Sequence, residues 1–311
     1  MHNGLIIKDL KKTYNDGEVV ALDGISFDVR PGELFGLIGP DGAGKTTLFR
    51  LLTTLLVPDS GNASVAGHDI VEDMWEIRKR VGYMPGRFSL YQDLSVQENL
   101  NFFATVFNTT VEENYELIKD IYVQLEPFKD RPAGKLSGGM KQKLALCCAL
   151  VHEPEVLFLD EPTTGVDPVS RKEFWDMLDR LRERGITILV STPYMDEANR
   201  CDRIALIQNG RLMDVDTLEG IISKNNQQLW AVKGHNMYQL LLDLRAFPQT
   251  ESCFAFGDTH HLSLINGEND LKNLEQFLKR KGHDDADIHA IQANIEDTFI
   301  HLMSQTEEHQ L

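Results

Sequence analysis

No apolar stretch in this 311-residue chain approaches the ~18 residues that a membrane-spanning helix requires. The longest, LALCCALV (144–151) and ITILVST (186–192), have the length of core elements, and residues 48–57 are interrupted by Arg50, Thr53 and Thr54. The opening residues MHNGLIIKDLKK hold no apolar signal-peptide core, so no secretory leader is expected. Any membrane role is therefore expected to run through a partner. Positive charge is scarce as well: 31 Lys and Arg stand against 48 Asp and Glu, a formal charge of -17. A duplex-DNA or ribosome surface needs basic stripes to displace counterions, so a nucleic-acid partner is not expected. Cysteine is limited to Cys147, Cys148, Cys201 and Cys253. None forms a CxxC pair, which removes the usual zinc and thioredoxin-like spacings. Cys147 and Cys148 fall in an apolar helical stretch and read as small core residues in a reducing compartment. His260 and His261 are consecutive, so in a strand they face opposite ways; a surface strand is expected rather than a metal site. Internal repeats are absent.

What remains is an alternation of strand and helix patterns. Residues 5–30 read as strand-rich around a turn at Asn15-Asp16-Gly17. ELFGLIG reads as a buried strand entering a glycine-rich loop, with a helix from about 45 to 56 behind it. A strand near 63–66, a helix near 74–80 and a strand near 81–84 follow. From about 94 to 151 the apolar residues recur at helical spacing. One helix is expected over about 111–125, and another after Ser137, a good N-cap residue. Strand VLFLD, a helix over 168–183, a strand over 186–191, a helix near 195–201 and two strands across Asn209-Gly210 then resume the alternation. This pattern predicts an α/β core interrupted by an all-helical insert. From about residue 226 the order changes to βαββαβ followed by a helix, which predicts a small ferredoxin-like α+β unit. The expected division is 1–225, with a helical subdomain at about 87–151, and 226–311.

Gly39, Pro40, Asp41, Gly42, Ala43, Gly44, Lys45 and Thr46 fit a P-loop, with Thr47 following. The match lies after a buried strand and at a helix start, as its chemistry requires. Glycines let backbone N–H groups wrap phosphates, and the helix N-terminus favours their charge. Lys45 is expected on the β- and γ-phosphates of ATP, and Thr46 on Mg²⁺. The strand 156–159 ends in Asp160-Glu161-Pro162. A carboxylate at such a strand end, beside a P-loop, is the expected second Mg²⁺ partner, here Asp160. Glu161 is then placed to act as general base on the attacking water.

Between these motifs stands Leu136-Ser137-Gly138-Gly139-Met140-Lys141-Gln142. With it in register, residues of about 4–220 resemble the ATP-binding cassette proteins. That resemblance implies a P-loop NTPase fold with a RecA-like core, an antiparallel β subdomain and a helical subdomain. It also implies an ATPase whose cassettes work in pairs. By family position Tyr14 stacks on adenine and Asp167 belongs to the D-loop, which couples the two sites of a dimer. Ser137 and Gly139 then contact the γ-phosphate of ATP held by the opposite subunit. Two positions depart from the pattern. The family places glutamine after a strand like GYMP, and Gly86 stands there. It places histidine after a strand like ILVST, and Pro193 stands there, with neither a side-chain donor nor an N–H.

Each missing transition-state donor is worth roughly 10²–10³ in rate. The resemblance thus implies a site that binds ATP and turns it over slowly, unless solvent or nearby side chains replace the lost groups. Since each ATP lies between one P-loop and the other chain's signature loop, a non-identical cassette partner is expected. GYMPGRFSLYQDLSVQENL resembles ABC-2-type cassettes of drug and polysaccharide exporters. In those the segment holding Arg87, Phe88, Leu90 and Tyr91 meets a separate integral-membrane permease. The expected location is cytoplasmic, on the inner face of the cell membrane through that permease, and the last unit is expected to regulate or stabilise the dimer. Two alternatives remain: a largely non-catalytic ATP-binding subunit that completes a partner's site, and a soluble cassette acting on ribosomes or DNA. The charge and the lack of basic linkers or long coiled coils oppose the latter.

Overall fold

The computed structural model describes residues 4–87 and 89–308, so Phe88 lies outside the described residues. The chain divides into two compact units, Met1–Leu218 and Glu219–Leu311.

The first unit begins with strands β1 (Leu5–Tyr14), β2 (Val19–Val29) and β3 (Leu34–Ile38), then helix α1 (Lys45–Leu52). Next come β4 (Ser60–Val65), β5 (His68–Asp69), α2 (Met74–Arg80) and β6 (Val81–Met84). The helical insert holds α3 (Val96–Val106), α4 (Tyr115–Tyr122) and α5 (Gly138–Leu150). The core resumes with β7 (Val156–Asp160), α6 (Pro168–Glu183), β8 (Thr187–Thr192), β9 (Arg203–Gln208) and β10 (Arg211–Asp216). An antiparallel sheet has the order β2-β1-β4-β5, and a six-stranded sheet the order β10-β9-β3-β8-β7-β6. The latter is parallel except at its β10 edge.

Strand β7 is buried along its whole length, which explains its unbroken apolar run VLFLD. Its alternate residues face opposite ways. Val156 and Phe158 enter the core shared with β1, β2 and α1, whereas Leu157 and Leu159 enter the core shared with the helical insert. Phe158 is fully buried against Phe49 of α1, so its truncation to alanine costs about 3–5 kcal/mol.

Local chemistry sets the helix ends. Ser95 and Glu98 form a capping box at the start of α3, and Asp167 caps α6 ahead of Pro168. Two expected helices are shorter than their apolar patterns. The one expected to run to residue 56 stops at Leu52: Thr53 Oγ1 donates to Phe49 O and Thr54 takes φ 60°. The one expected over 111–125 spans Tyr115–Tyr122, because Thr109, Thr110 and Glu113 close a side-chain turn before it. The helix expected near 195–201 is a 3-10 helix, Met195–Arg200.

The second unit, with α7 (Leu218–Ser223) leading into it, contains β11 (Leu229–Lys233), α8 (Met237–Ala246), β12 (Thr250–Phe256) and β13 (Thr259–Leu264). It continues with α9 (Leu271–Arg280), β14 (Asp287–Ile291) and α10 (Ile295–Glu308). The order β12-β13-β11-β14 is antiparallel throughout, the ferredoxin-like arrangement. Trp230, Val232 and Leu262 of the sheet pack with Leu240, Leu244, Leu274 and Leu278 of α8 and α9.

The two histidines of β13 correct the surface-strand expectation. His260 is 4% exposed and its Nε2 bonds Met237 O at 2.7 Å, while His261 Nδ1 meets Asp297 Oδ1 of α10 at 2.8 Å. They face opposite ways, as adjacent strand residues must, but both faces of this sheet carry packed helices. Cys147 and Cys148 are buried and unpaired, and burial pushes both thiols well above their usual range.

Candidate nucleotide site and signature loop

The ends of β3, β7 and β8 lie side by side, since Ile38 pairs with Thr192 and Asp160 with Ser191. This is the carboxyl edge of a parallel sheet, where open α/β folds place their ligands. Gly39 to Gly44 leave β3 there and turn into α1. Gly44 has φ 105°, and a Cβ on it would fall 2.4 Å from Ala21 O; one on Gly39 would fall 2.1 Å from Ile207 O. Only glycine lets the loop pass this close to neighbouring backbone. Asp41 and Gly42 form the exposed tip, and Pro40 O accepts from Ala43 N at 3.2 Å. Tyr14, at the end of β1, lies beside the start of α1, with its hydroxyl 3.3 Å from Thr47 Oγ1.

Lys45 is 3% exposed. Its Nζ donates to Gly39 O at 2.8 Å and Pro40 O at 2.9 Å and pairs with Glu161 Oε1 at 3.2 Å. Thr46 Oγ1 donates to Asp160 Oδ2 at 2.8 Å, while Ser191 Oγ donates to Asp160 Oδ1 at 2.6 Å. Asp160 is 2% exposed, so these hydroxyls are what make its burial tolerable. Glu161 sits at φ 50°, a left-handed conformation that non-glycine residues reach at a cost of about 1–2 kcal/mol. Its N–H, shared between Ser191 O and Ser191 Oγ, holds it there. Such strain concentrates at functional sites because it aims one side chain. Tyr83 of β6 reaches the same region: burial and the Asp160 carboxylate push its phenol up to about 12, against the opposing influence of Arg50.

Both positions that break the motif pattern border this cluster. A Cβ on Gly86 would stand 3.0 Å from Asp160 O and 3.8 Å from Glu161 Cβ. Pro193 directly follows Thr192, whose carbonyl accepts from Gly39 N at 3.3 Å. The site thus lacks a side-chain hydrogen-bond donor at both positions.

Ser137 and Gly139 are elsewhere. Ser137 caps α5, its Oγ accepting from Met140 N at 3.3 Å, and is exposed. A Cβ on Gly139 would fall 2.7 Å from Ser170 Oγ, so the signature loop packs on the first turn of α6. Asp167 caps that same turn by accepting from Val169 N and Ser170 N at 3.1 and 3.0 Å, and these backbone bonds hold its carboxyl below the usual range. Among the described residues no hydrogen bond or ion pair joins Ser137 to Lys45, Thr46 or Asp160. The structure therefore divides the sequence-derived residues into two groups, a P-loop and carboxylate cluster and an exposed signature and Asp167 cluster.

Sequence reasoning missed Ser191, Thr163 and Glu197. Nothing in ILVST, PTTG or YMDEA marks a hydroxyl or carboxylate as turned inward; only the pairing of β7 with β8 does.

A groove of about 550 Å³ lies at the junction of β6 with α2, α3 and α5. Trp75, Leu90, Phe103, Phe107 and His152 line it, with Trp75 68% exposed. His152 stacks on Phe107 at 3.6 Å and bonds Val81 O through Nε2 at 3.0 Å; burial holds its imidazole below the ordinary value. Leu90 is buried, whereas Arg87 and Tyr91 are exposed.

A P-loop at a parallel-sheet edge, an acidic β7 end and a glycine-rich cap on α5 together define an ATP-binding cassette. The family model described as ABC transporter matches residues 22–164. The chain is 35% identical over 306 residues to the Nod factor export ATP-binding protein I of Burkholderia orbicola (strain AU 1054), covering 95% of each protein. It is 43% identical over 225 residues to the probable multidrug ABC transporter ATP-binding protein YbhF of Escherichia coli (strain K12). That match takes in 71% of this chain and spans 39% of the relative's length. Among solved structures, a bacterial ABC transporter cassette determined as a dimer superposes with TM-score 0.62 at 25% identity, over 69% of this chain and 98% of that one. The chain belongs to the ABC transporter family. Among the described residues no helix is long and apolar enough to cross a membrane.

Proposed function

We propose that the chain is the ATP-binding and ATP-hydrolysing subunit of an exporter, joined to a separate permease and to a second, non-identical cassette. The observation that carries the catalytic part is the convergence of Lys45, Thr46, Asp160 and Glu161 on one loop and one strand end. Tyr14 stacks on adenine at the β1 end, and the amides of residues 39–46 wrap the phosphates. Thr46 Oγ1 and Asp160 Oδ2 offer adjacent oxygen ligands, the donor type that suits Mg²⁺. Bound there, Mg²⁺ supplies charge neutralisation on the β- and γ-phosphates. Lys45, now paired with Glu161, exchanges that carboxylate for a phosphate oxygen when ATP enters. Glu161 is thereby released to accept the proton of the attacking water.

Two things support slow turnover at this site. Gly86 and Pro193 place no donor beside Asp160 and Thr192, and each absent donor is worth roughly 10²–10³ in rate. The exposed Ser137 hydroxyl and the N-terminal amides of α5, which among the described residues form no hydrogen bond with their own P-loop, suit the γ-phosphate of ATP held by the partner. Asp167, behind them, serves as the D-loop contact. The apolar groove beside Leu90 and Tyr91 supports docking of a permease helix, which puts the chain on the cytoplasmic face of the membrane. Residues 226–311 form the regulatory or dimer-stabilising unit. Export is favoured by the relatives, one named for multidrug transport and one for Nod factor export.

The test is the ATPase rate of the chain alone, of a partner cassette bearing the glutamine and histidine, and of the two mixed. Slow turnover alone and fast turnover in the mixture are expected. Fast hydrolysis by the chain alone, abolished by Lys45→Ala, would overturn both the slow site and the need for a different partner.

A further inference from the structure

Beneath the nucleotide site lies a carboxylate that no motif marks. Glu197 is in the 3-10 helix after β8 and is 3% exposed. A buried carboxylate persists only if its oxygens are fully engaged. Here Oε1 accepts from Thr163 Oγ1 at 2.7 Å and from Trp175 Nε1 of α6 at 2.9 Å, and Oε2 accepts from Thr192 Oγ1. Arg171 Nε approaches Oε1 at 3.7 Å, and its guanidinium lies over the Tyr194 ring at 4.3 Å.

Two of these partners sit on the backbone that forms the site. Thr163 stands two residues beyond the left-handed Glu161. Thr192 stands next to Ser191, which holds Asp160 and the Glu161 N–H, and its own carbonyl accepts from Gly39 N at the mouth of the P-loop. One side chain therefore ties the base-bearing loop to the strand end that holds both the P-loop and Asp160. The third partner, Trp175, is in α6, and among the described residues its indole N–H donates only to Glu197.

We propose that Glu197 is a positioning residue for ATP hydrolysis, keeping the Glu161 loop and the β8 end in register through Thr163 and Thr192. The inference rests on the reading of this site as an ATPase site. It also gives the chain a compensation at the place where Pro193 offers no donor: Thr192, the residue before it, is fixed from below.

Three variants separate positioning from mere stability, all made in the full chain assembled with its partner. Thr163→Val removes one hydrogen bond to Glu197 and should lower kcat roughly tenfold with KM and ATP affinity within about twofold. It should also speed amide exchange at residues 161–166. Thr163→Ser should restore kcat. Trp175→Phe removes a bond to the same oxygen and should lower the melting temperature while leaving kcat within about twofold. Unchanged exchange and unchanged kcat in Thr163→Val would overturn the proposal. So would a loss of kcat that follows melting temperature alike in Thr163→Val and Trp175→Phe. A separate failure, no loss of turnover at this chain's site in Lys45→Ala, would instead remove the ATPase reading.

Discussion

The P-loop cluster and the signature loop of this chain are built on opposite principles. The first is closed on itself. Lys45 and Asp160 are almost wholly buried, and their charged atoms are already met by Glu161, Thr46, Ser191 and two backbone carbonyls. The second is open: Ser137 is exposed and, among the described residues, its hydroxyl is engaged only in capping its own helix. A ligand entering the first must displace protein contacts, whereas a ligand reaching the second adds contacts to a surface. The difference teaches that the two motifs need not serve the same nucleotide. A closed cluster suits a tightly held ligand, and an exposed helix N-terminus suits one delivered by another chain.

The strongest way to break this comparison is to remove one side of it at a time. Lys45→Ala should lower turnover at this chain's site by roughly 10³-fold and weaken ATP binding by the isolated chain. Ser137→Ala should leave that binding unchanged, yet cut hydrolysis at the partner's site by roughly 10²-fold. Equal loss of ATP binding by the isolated chain in both variants would show one shared site. Next in size is restoration of a missing donor. Pro193→His should raise turnover at this site by up to roughly 10²-fold. Gly86→Gln should raise it less, because its Cβ must enter at 3.0 Å from Asp160 O and move β7 or the loop. A larger gain from Gly86→Gln would mean that this backbone yields easily.

The smallest expected effect concerns the groove. Burial depresses the folded-state pKa of His152 below its ordinary 6.5. At higher pH both folded and unfolded states hold the neutral ring and stability is complete. Below about pH 6.5 the unfolded chain takes up the proton first, so stability falls as pH drops towards the folded-state value. Acidification from pH 7.5 to 5.5 should therefore lower the melting temperature of the wild type on the order of 2 °C more than that of His152→Asn. An identical pH response in the two proteins would remove His152 as the source.

Much of this could be read before any coordinates. The P-loop was legible because phosphate chemistry demands glycines, a lysine and a hydroxyl at set spacing. Strand β7 was legible because a strand buried on both faces must be apolar throughout. The ferredoxin-like unit followed from a βαββαβ order with clean periodicity. Helix ends were less legible: past Leu52 only Leu56 packs against the core while Leu55 is exposed, and Thr53 and Thr54 redirect the chain. His260 and His261 were misplaced because polarity alone suggested solvent, whereas each found a hydrogen-bond partner on a helix packed against the sheet.

By itself the sequence determined the class of fold, the nucleotide loop, the carboxylates beside it and the absence of side-chain donors at Gly86 and Pro193. These are local matters, set by residue type and spacing. Tertiary structure alone decided that Asp160 is shared between Thr46 and Ser191, that Gly86 abuts its carbonyl, that Ser137 is exposed while capping its own helix, and that Glu197 accepts hydrogen bonds from both Thr163 and the β8 residue Thr192. Each of these depends on which strands lie side by side, and strand neighbours are chosen by long-range packing rather than by the residues next in line.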